Sequence, residues 1–264
     1  IRMLILFGKD PEQASIMAES ILKVEHLLAV AMLSPAEMRI PEKTYNKFSR
    51  NDLIALLPNF NFDTYQKRVF SNDFDSLIVV NPEYLNTINN LIDRKNLTDI
   101  KSYMYWRVVN HFAPHMSEKH VTEHFEFYGK VLSGKNEMKP LNERVIDEIT
   151  GSEFGEMLGK KFVEKHYSEE AQRRVNEMVD NLLIVFRDRI KGLEWMSEET
   201  KKEALIKLNS IGRKLGFPEQ WKDYSYLGFD PKNYIYNYME VKRNEHFKNM
   251  EKLNKPVDKK EWGM

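Results

Sequence analysis

Two imidazoles four residues apart, with a glutamate beside the second, form the stretch whose residue types and spacing most nearly describe a chemical site: His120-Val121-Thr122-Glu123-His124. This is the H-x-x-E-H order, the inverse of the ligand spacing common in zinc peptidases. On a helix, positions four apart share a face, so both rings could reach one metal ion. His111 and His115 lie just upstream. Three features oppose a metal centre. Pro114 interrupts the helix between the two histidine pairs. A third ligand would have to be a distant carboxylate, and among 40 acidic residues its presence carries no information. Histidine is also common on solvated helix faces near a cap. The set therefore reads as surface or helix-packing histidines, with His120, Glu123 and His124 kept as the alternative metal reading.

The other reactive types give less. His26, His166 and His246 sit in charged helical surroundings and read as surface residues. The chain has no cysteine, which excludes disulfides, thiolate metal sites and a cysteine nucleophile. No Ser-His-Asp arrangement has a local signature, and Gly129-Lys130 lacks phosphate-loop spacing. Tyr103, Tyr105 and Trp106 read as packing between helices. Tyr224, Tyr226, Tyr234, Tyr236 and Tyr238 are candidates for a groove lining. No catalytic, cofactor-binding or metal-binding residue is assigned.

The elements that must position these side chains are helices. Asp10-Pro11-Glu12 supplies a cap, a proline at the first helical position and an acid in the first turn. Apolar residues from Ile16 to Ala31 then follow a helical period until Ser34-Pro35. Ser49 caps a short helix over 52–57, and Asn81-Pro82-Glu83 opens another. Helices are expected over 98–112, from Ser117 to 132, and over 141–167. In the last, Gly151, Gly155 and Gly159 imply close packing against a neighbour. Ser168 opens a long helix, Ser197 another that ends at Leu215-Gly216-Phe217-Pro218, and Asp230-Pro231 a final one to about residue 253. The single strand candidate, 76–80, has no evident partner, so a sheet is not expected. The reading is all-α: one multi-helix, bundle-like domain over 1–264, with at most one short extended segment.

Composition narrows the function classes. Forty basic residues balance forty acidic ones, which gives no electrostatic case for nucleic acid. No apolar run approaches the ~20 residues that span a bilayer. The chain opens on Ile1 and ends on Gly263-Met264, and it reads as a fragment.

Several segments, in order along the chain, resemble the neprilysin-type zinc metallopeptidases, in particular the helical N-terminal half of cysteine-free, bacterial endopeptidase-O-like members. Pro41-Glu42-Lys43-Thr44-Tyr45-Asn46-Lys47 is similar to the loop after an early long helix. Residues 125–134, Phe-Glu-Phe-Tyr-Gly-Lys-Val-Leu-Ser-Gly, match F-x-F-[FY]-G-K-x-L-S-G. Trp195-Met196-Ser197 with Glu199, Thr200, Lys201 and Ala204 resembles W-M-x-x-x-T-K-x-x-A, with Trp195 and Met196 expected to pack as a staple at the helix entry. Leu215-Gly216-Phe217-Pro218 resembles I-G-[YF]-P, and residues 255–264 resemble the segment just before the catalytic half.

The resemblance implies a non-catalytic helical domain of a zinc metalloendopeptidase that encloses the catalytic chamber and admits only short peptides. The family's H-E-x-x-H, E-x-x-x-D and N-A-[FY] segments do not occur in residues 1–264. No cofactor is therefore expected in this chain, and zinc is expected in the catalytic half. The expected partners are that catalytic domain of the same polypeptide and, in the full enzyme, peptide substrates. Neither nucleic acid nor a membrane segment is expected. An extracytoplasmic location, periplasmic or at the cell surface, is implied by the resemblance alone. The chain by itself is expected to lack peptidase activity and to expose an apolar patch where its partner domain is missing. The alternatives are a stand-alone helical binding module and a self-contained peptidase built on His120, Glu123 and His124.

Overall fold

The computed structural model describes residues 1–70, 73–152 and 154–262, and they are almost wholly helical. The chain divides into two compact units. The first comprises Ile1–Lys139 and Phe229–Pro256; the second comprises Pro140–Gly228 and residues 257–262.

In the first unit, α1 (Arg2–Leu6) leads into α2 (Pro11–Val30), which starts where Asp10 accepts a hydrogen bond from Gln13 N–H at 2.9 Å. After the short α3 (Pro41–Thr44) comes strand β1 (Asn46–Ser49). Ser49 and Asp52 then form a reciprocal capping box that opens α4 (Arg50–Leu56), and α5 (Phe62–Val69) follows. Strand β2 (Ser76–Val79) pairs antiparallel with β1, Asn46 opposite Val79 and Ser49 opposite Ser76. This partner carries no strand signal in the sequence, because Asn46-Lys47-Phe48-Ser49 is four residues long with a single apolar side chain. Asn46 holds the ribbon through side-chain bonds to the Lys43 and Val79 carbonyls, at 2.8 and 3.0 Å.

Helix α6 (Pro82–Leu91) starts at Asn81, whose side chain accepts from Tyr84 N–H and donates to the Ala31 carbonyl at the end of α2. One residue thus satisfies orphan groups of two helices. Helix α7 (Leu97–Phe112) packs along α2. Leu4, Ala14 and Ile21 meet Tyr103, Tyr105 and Trp106, while Val24 and Leu28 meet Leu91, Ile88 and Ile100. A separate cluster joins Leu53, Leu57, Phe62, Phe74 and Val79 under the ribbon, with Leu253 against it.

Helix α8 (Glu118–His124) runs into a wider, π-helical turn over Phe125–Val131, where a continuous α-helix to 132 was expected. Gly129 is buried beneath the Phe125 ring, and any Cβ there would overlap the ring edge. The Ser133 hydroxyl donates to the Tyr128 carbonyl at 2.6 Å, and Gly134 takes a positive φ of 65° as the chain turns away. The F-x-F-Y-G-K-x-L-S-G pattern is therefore the recipe for this turn.

In the second unit, α9 (Leu141–Thr150) and α10 (Gly155–His166) replace the expected continuous helix. The start of α10 lies close against the end of α9: a Cβ on Gly155 would lie 2.6 Å from the Thr150 carbonyl oxygen, so glycine is required there. Gly159 has open space around its Cα, so close helix packing is not its role. Helix α11 (Glu169–Lys191) is capped by Ser168, and α12 (Glu198–Asn209) by Ser197 through Thr200 N–H at 3.2 Å. Helix α12 stops six residues before the sequence signals; Gly216, at φ 81°, serves a separate turn. Trp195 is 78% exposed, so it does not staple the entry of α12. Back in the first unit, Asp230-Pro231 forms a turn, and α13 (Tyr234–Glu251) begins at Asn233.

The units differ in their cores. All four apolar clusters among the described residues belong to the first unit. Among its described residues the second buries only Leu208 and Tyr224 of its large hydrophobic side chains. The chain exposes 19516 Å². A self-contained globule of this length exposes about 12,000 Å², and two independent globules of these unit sizes about 14,500 Å².

Candidate functional site

The His120-to-His124 segment lies on α8, held against the chain's first helix. His120 is buried, and both of its ring nitrogens are engaged: Nδ1 lies 2.9 Å from the Ser117 hydroxyl and Nε2 lies 3.3 Å from the Leu6 carbonyl. Its ring packs on Phe7 at 4.6 Å between centroids. Ser117 stands at the cap position of α8, yet its hydroxyl makes no cap bond and faces this imidazole. Glu123 pairs with Arg2 Nε at 2.9 Å. His124 stacks on Tyr128 at 4.4 Å, and burial, followed by the nearby His115, holds its imidazole below the ordinary histidine pKa.

The upstream histidines meet the last helix. His115 Nδ1 lies 3.1 Å from the Tyr234 hydroxyl, and the Tyr238 hydroxyl lies 3.2 Å from His111 Nε2. The His115 and Tyr238 rings are 4.2 Å apart. The sequence held a signal for this docking that went unread: histidines four apart at 111 and 115 match tyrosines four apart at 234 and 238. Of the other groove candidates, Tyr224 is buried against Phe154 in the second unit, whereas Tyr226 and Tyr236 are exposed. His26 and His166 are exposed. His246 departs from the surface reading: it is half-buried, with Nε2 2.8 Å from the Val69 carbonyl.

A zinc ion does not fit these residues. A ligating imidazole needs one free nitrogen lone pair, and second-shell partners then fix the other nitrogen. His120 has spent both positions on Ser117 and Leu6, and Glu123 is committed to Arg2. Among the described residues no three His, Cys, Asp or Glu side chains converge in a metal-binding group. No helix among them is long and apolar enough to cross a membrane.

The chemistry-bearing residues thus hold helices together, and the family-like segments build turns and caps of an all-helical scaffold. Comparison with known proteins gives this scaffold its place. Residues 1–218 match the family described as peptidase family M13, in its N-terminal part, and the chain belongs to that family. It is 29% identical to the neutral endopeptidase of Lactobacillus helveticus over 268 residues, covering 100% of this chain and 41% of that protein. The endothelin-converting enzyme homolog of Locusta migratoria is 26% identical over 98% of the chain and 38% of its own length.

Among solved structures, the Mycobacterium tuberculosis zinc metalloprotease Zmp1 in complex with an inhibitor superposes with a TM-score of 0.89 at 30% identity, over 100% of this chain and 40% of Zmp1. PepO of Lactobacillus rhamnosis HN001 shares the fold at 18% identity, with a TM-score of 0.89 over 42% of its length. The chain spans about two fifths of these relatives. Of the terminal segment that resembles the approach to a catalytic half, Gly263 and Met264 lie outside the described residues.

Proposed function

We propose that this chain is the non-catalytic helical half of a zinc metalloendopeptidase, and that it encloses the reaction chamber so that short peptides enter and folded proteins do not. The observation that carries this reading is the match of the whole chain to only about 41% of a peptidase's length. The zinc-binding and water-activating groups then belong to the remainder of the same polypeptide. The arrangement at His120, both nitrogens engaged, supports the same division of labour and weighs against a peptidase built on His120, Glu123 and His124.

The test is a paired assay. Residues 1–264 and the polypeptide encoded by the full reading frame are each given quenched-fluorescent peptides of increasing length, with and without a zinc chelator. Chelator-sensitive cleavage by the long form only, falling off with substrate size, is the expected result. Zinc-dependent turnover by residues 1–264 overturns the reading, as does a reading frame without a zinc-peptidase segment. An extracytoplasmic location is part of the proposal and rests on the family resemblance; fractionation of expressing cells checks it.

A further inference from the structure

Helix α11 carries two apolar stripes, and only one of them is covered. Val175, Val179, Leu183 and Ile190 recur at helical spacing and are half-buried, on the side that meets α12. Beside them run Met178, Leu182, Val185 and Phe186, exposed by 56, 51, 51 and 56%. No residue of this 23-residue helix is fully buried. Arg174, Glu177 and Asn181 rim the exposed stripe. The rim charges already have partners within the helix: Arg174 with Glu170 at 2.7 Å, and Glu177 with Arg173 at 3.1 Å. An incoming surface would therefore meet an apolar centre and a polar rim with its ions paired, the usual anatomy of a stable interface. Trp195, in the loop that leads from α11 to α12, is a second exposed anchor of the type that dominates interface energetics.

We infer that the Met178–Leu182–Val185–Phe186 stripe of α11, with Trp195, is the seat of the peptidase half of the same polypeptide. This rests on the reading above that such a half exists. Two observations favour it over a transient visitor. Among its described residues the second unit buries only two large hydrophobic side chains, so a permanent cover removes much apolar surface from water. The relatives carry some three fifths of their length beyond what this chain matches, which is enough chain to supply that cover.

Amide hydrogen exchange across α11, in residues 1–264 and in the full-length polypeptide, tests the assignment. In the full-length form α11 is expected to exchange more slowly by about two orders of magnitude. L182E should abolish that difference. I184E is the control: Ile184 is 49% exposed but lies off the stripe, so this variant should keep the difference. Both changes fall on exposed positions, so each variant of residues 1–264 should fold as the parent does. Equal exchange in the two forms overturns the inference. So does concentration-dependent protection in residues 1–264 alone, which would assign the stripe to a second copy. Zinc-dependent activity of the full-length protein is recorded in parallel. Activity with an unprotected α11 defeats this inference and leaves the functional reading standing, whereas protection without activity defeats the functional reading.

Discussion

The Ser117 hydroxyl lies 2.9 Å from Nδ1 of His120, inside a segment whose spacing alone suggests a metal ligand. That contact, with the Leu6 carbonyl on the opposite nitrogen, makes the imidazole a bridge from α8 to the end of α1. The ring also fills the space beside Phe7. H120A should therefore lower the unfolding free energy by about 2–3 kcal/mol, from lost packing and stranded polar groups. S117A should remove about 1 kcal/mol by leaving Nδ1 without its partner. Urea unfolding followed by circular dichroism measures both. Elemental analysis of the wild-type and H120A chains should show the same metal content; stoichiometric zinc lost on substitution would restore the metal centre.

His124 gives the segment a pH dependence. Burial and then the charge of His115 lower its pKa, so the folded chain favours the neutral ring more than the unfolded chain does. The sign follows: its contribution is fully present above the unfolded value, about 6.5, and is lost as pH falls through the lower folded value. Wild type should lose stability from pH 7.5 to 5 relative to H124Q, which carries no titrating ring. Melting temperatures of the two proteins across that range check the prediction. A gap between them that does not change with pH would show that His124 does not titrate on unfolding.

Helix starts were legible because they are written in adjacent residues: Asp10, Ser49, Asn81, Ser168 and Ser197 all cap as their types require. What failed depended on distant partners or on backbone sterics. The β1 strand is visible only through its pairing with Ser76–Val79. The close approach of Gly155, where α10 starts, to the Thr150 carbonyl at the end of α9 demands a glycine, and a glycine at that point reads in sequence as mere weakness. Trp195 was expected to pack as a staple at the entry of α12, and among the described residues nothing covers it. For the candidate site, the sequence supplied the residues and a choice of roles, because a helical i, i+4 pair of histidines suits packing as well as ligation; the partners that decide for packing at His120, Leu6 and Phe7, are distant in sequence.

Gly216 shows how a family-like turn is enforced. Its φ of 81° lies in the left-handed region, where a side chain is disfavoured by roughly 1 kcal/mol. A Cβ there would also overlap the Gln172 side-chain oxygen and lie 3.0 Å from the Tyr167 hydroxyl. The neighbours are fixed: Gln172 donates to the Leu215 carbonyl at 3.1 Å, and Phe217 sits edge-on to Tyr167 and stacked on Trp221. G216A should therefore destabilise the second unit by about 2–3 kcal/mol, the sum of backbone strain and steric overlap. A double-mutant cycle with Q172A separates the two. Removing Gln172 clears the side-chain overlap and leaves the strain, so G216A in that background should cost only about 1 kcal/mol. Unfolding is best followed by tryptophan fluorescence in a background where Trp106, Trp195 and Trp262 are phenylalanine, so that Trp221 alone reports this turn. Equal costs in both backgrounds would mean that the left-handed backbone alone, and not the fit against α11, is what glycine provides here.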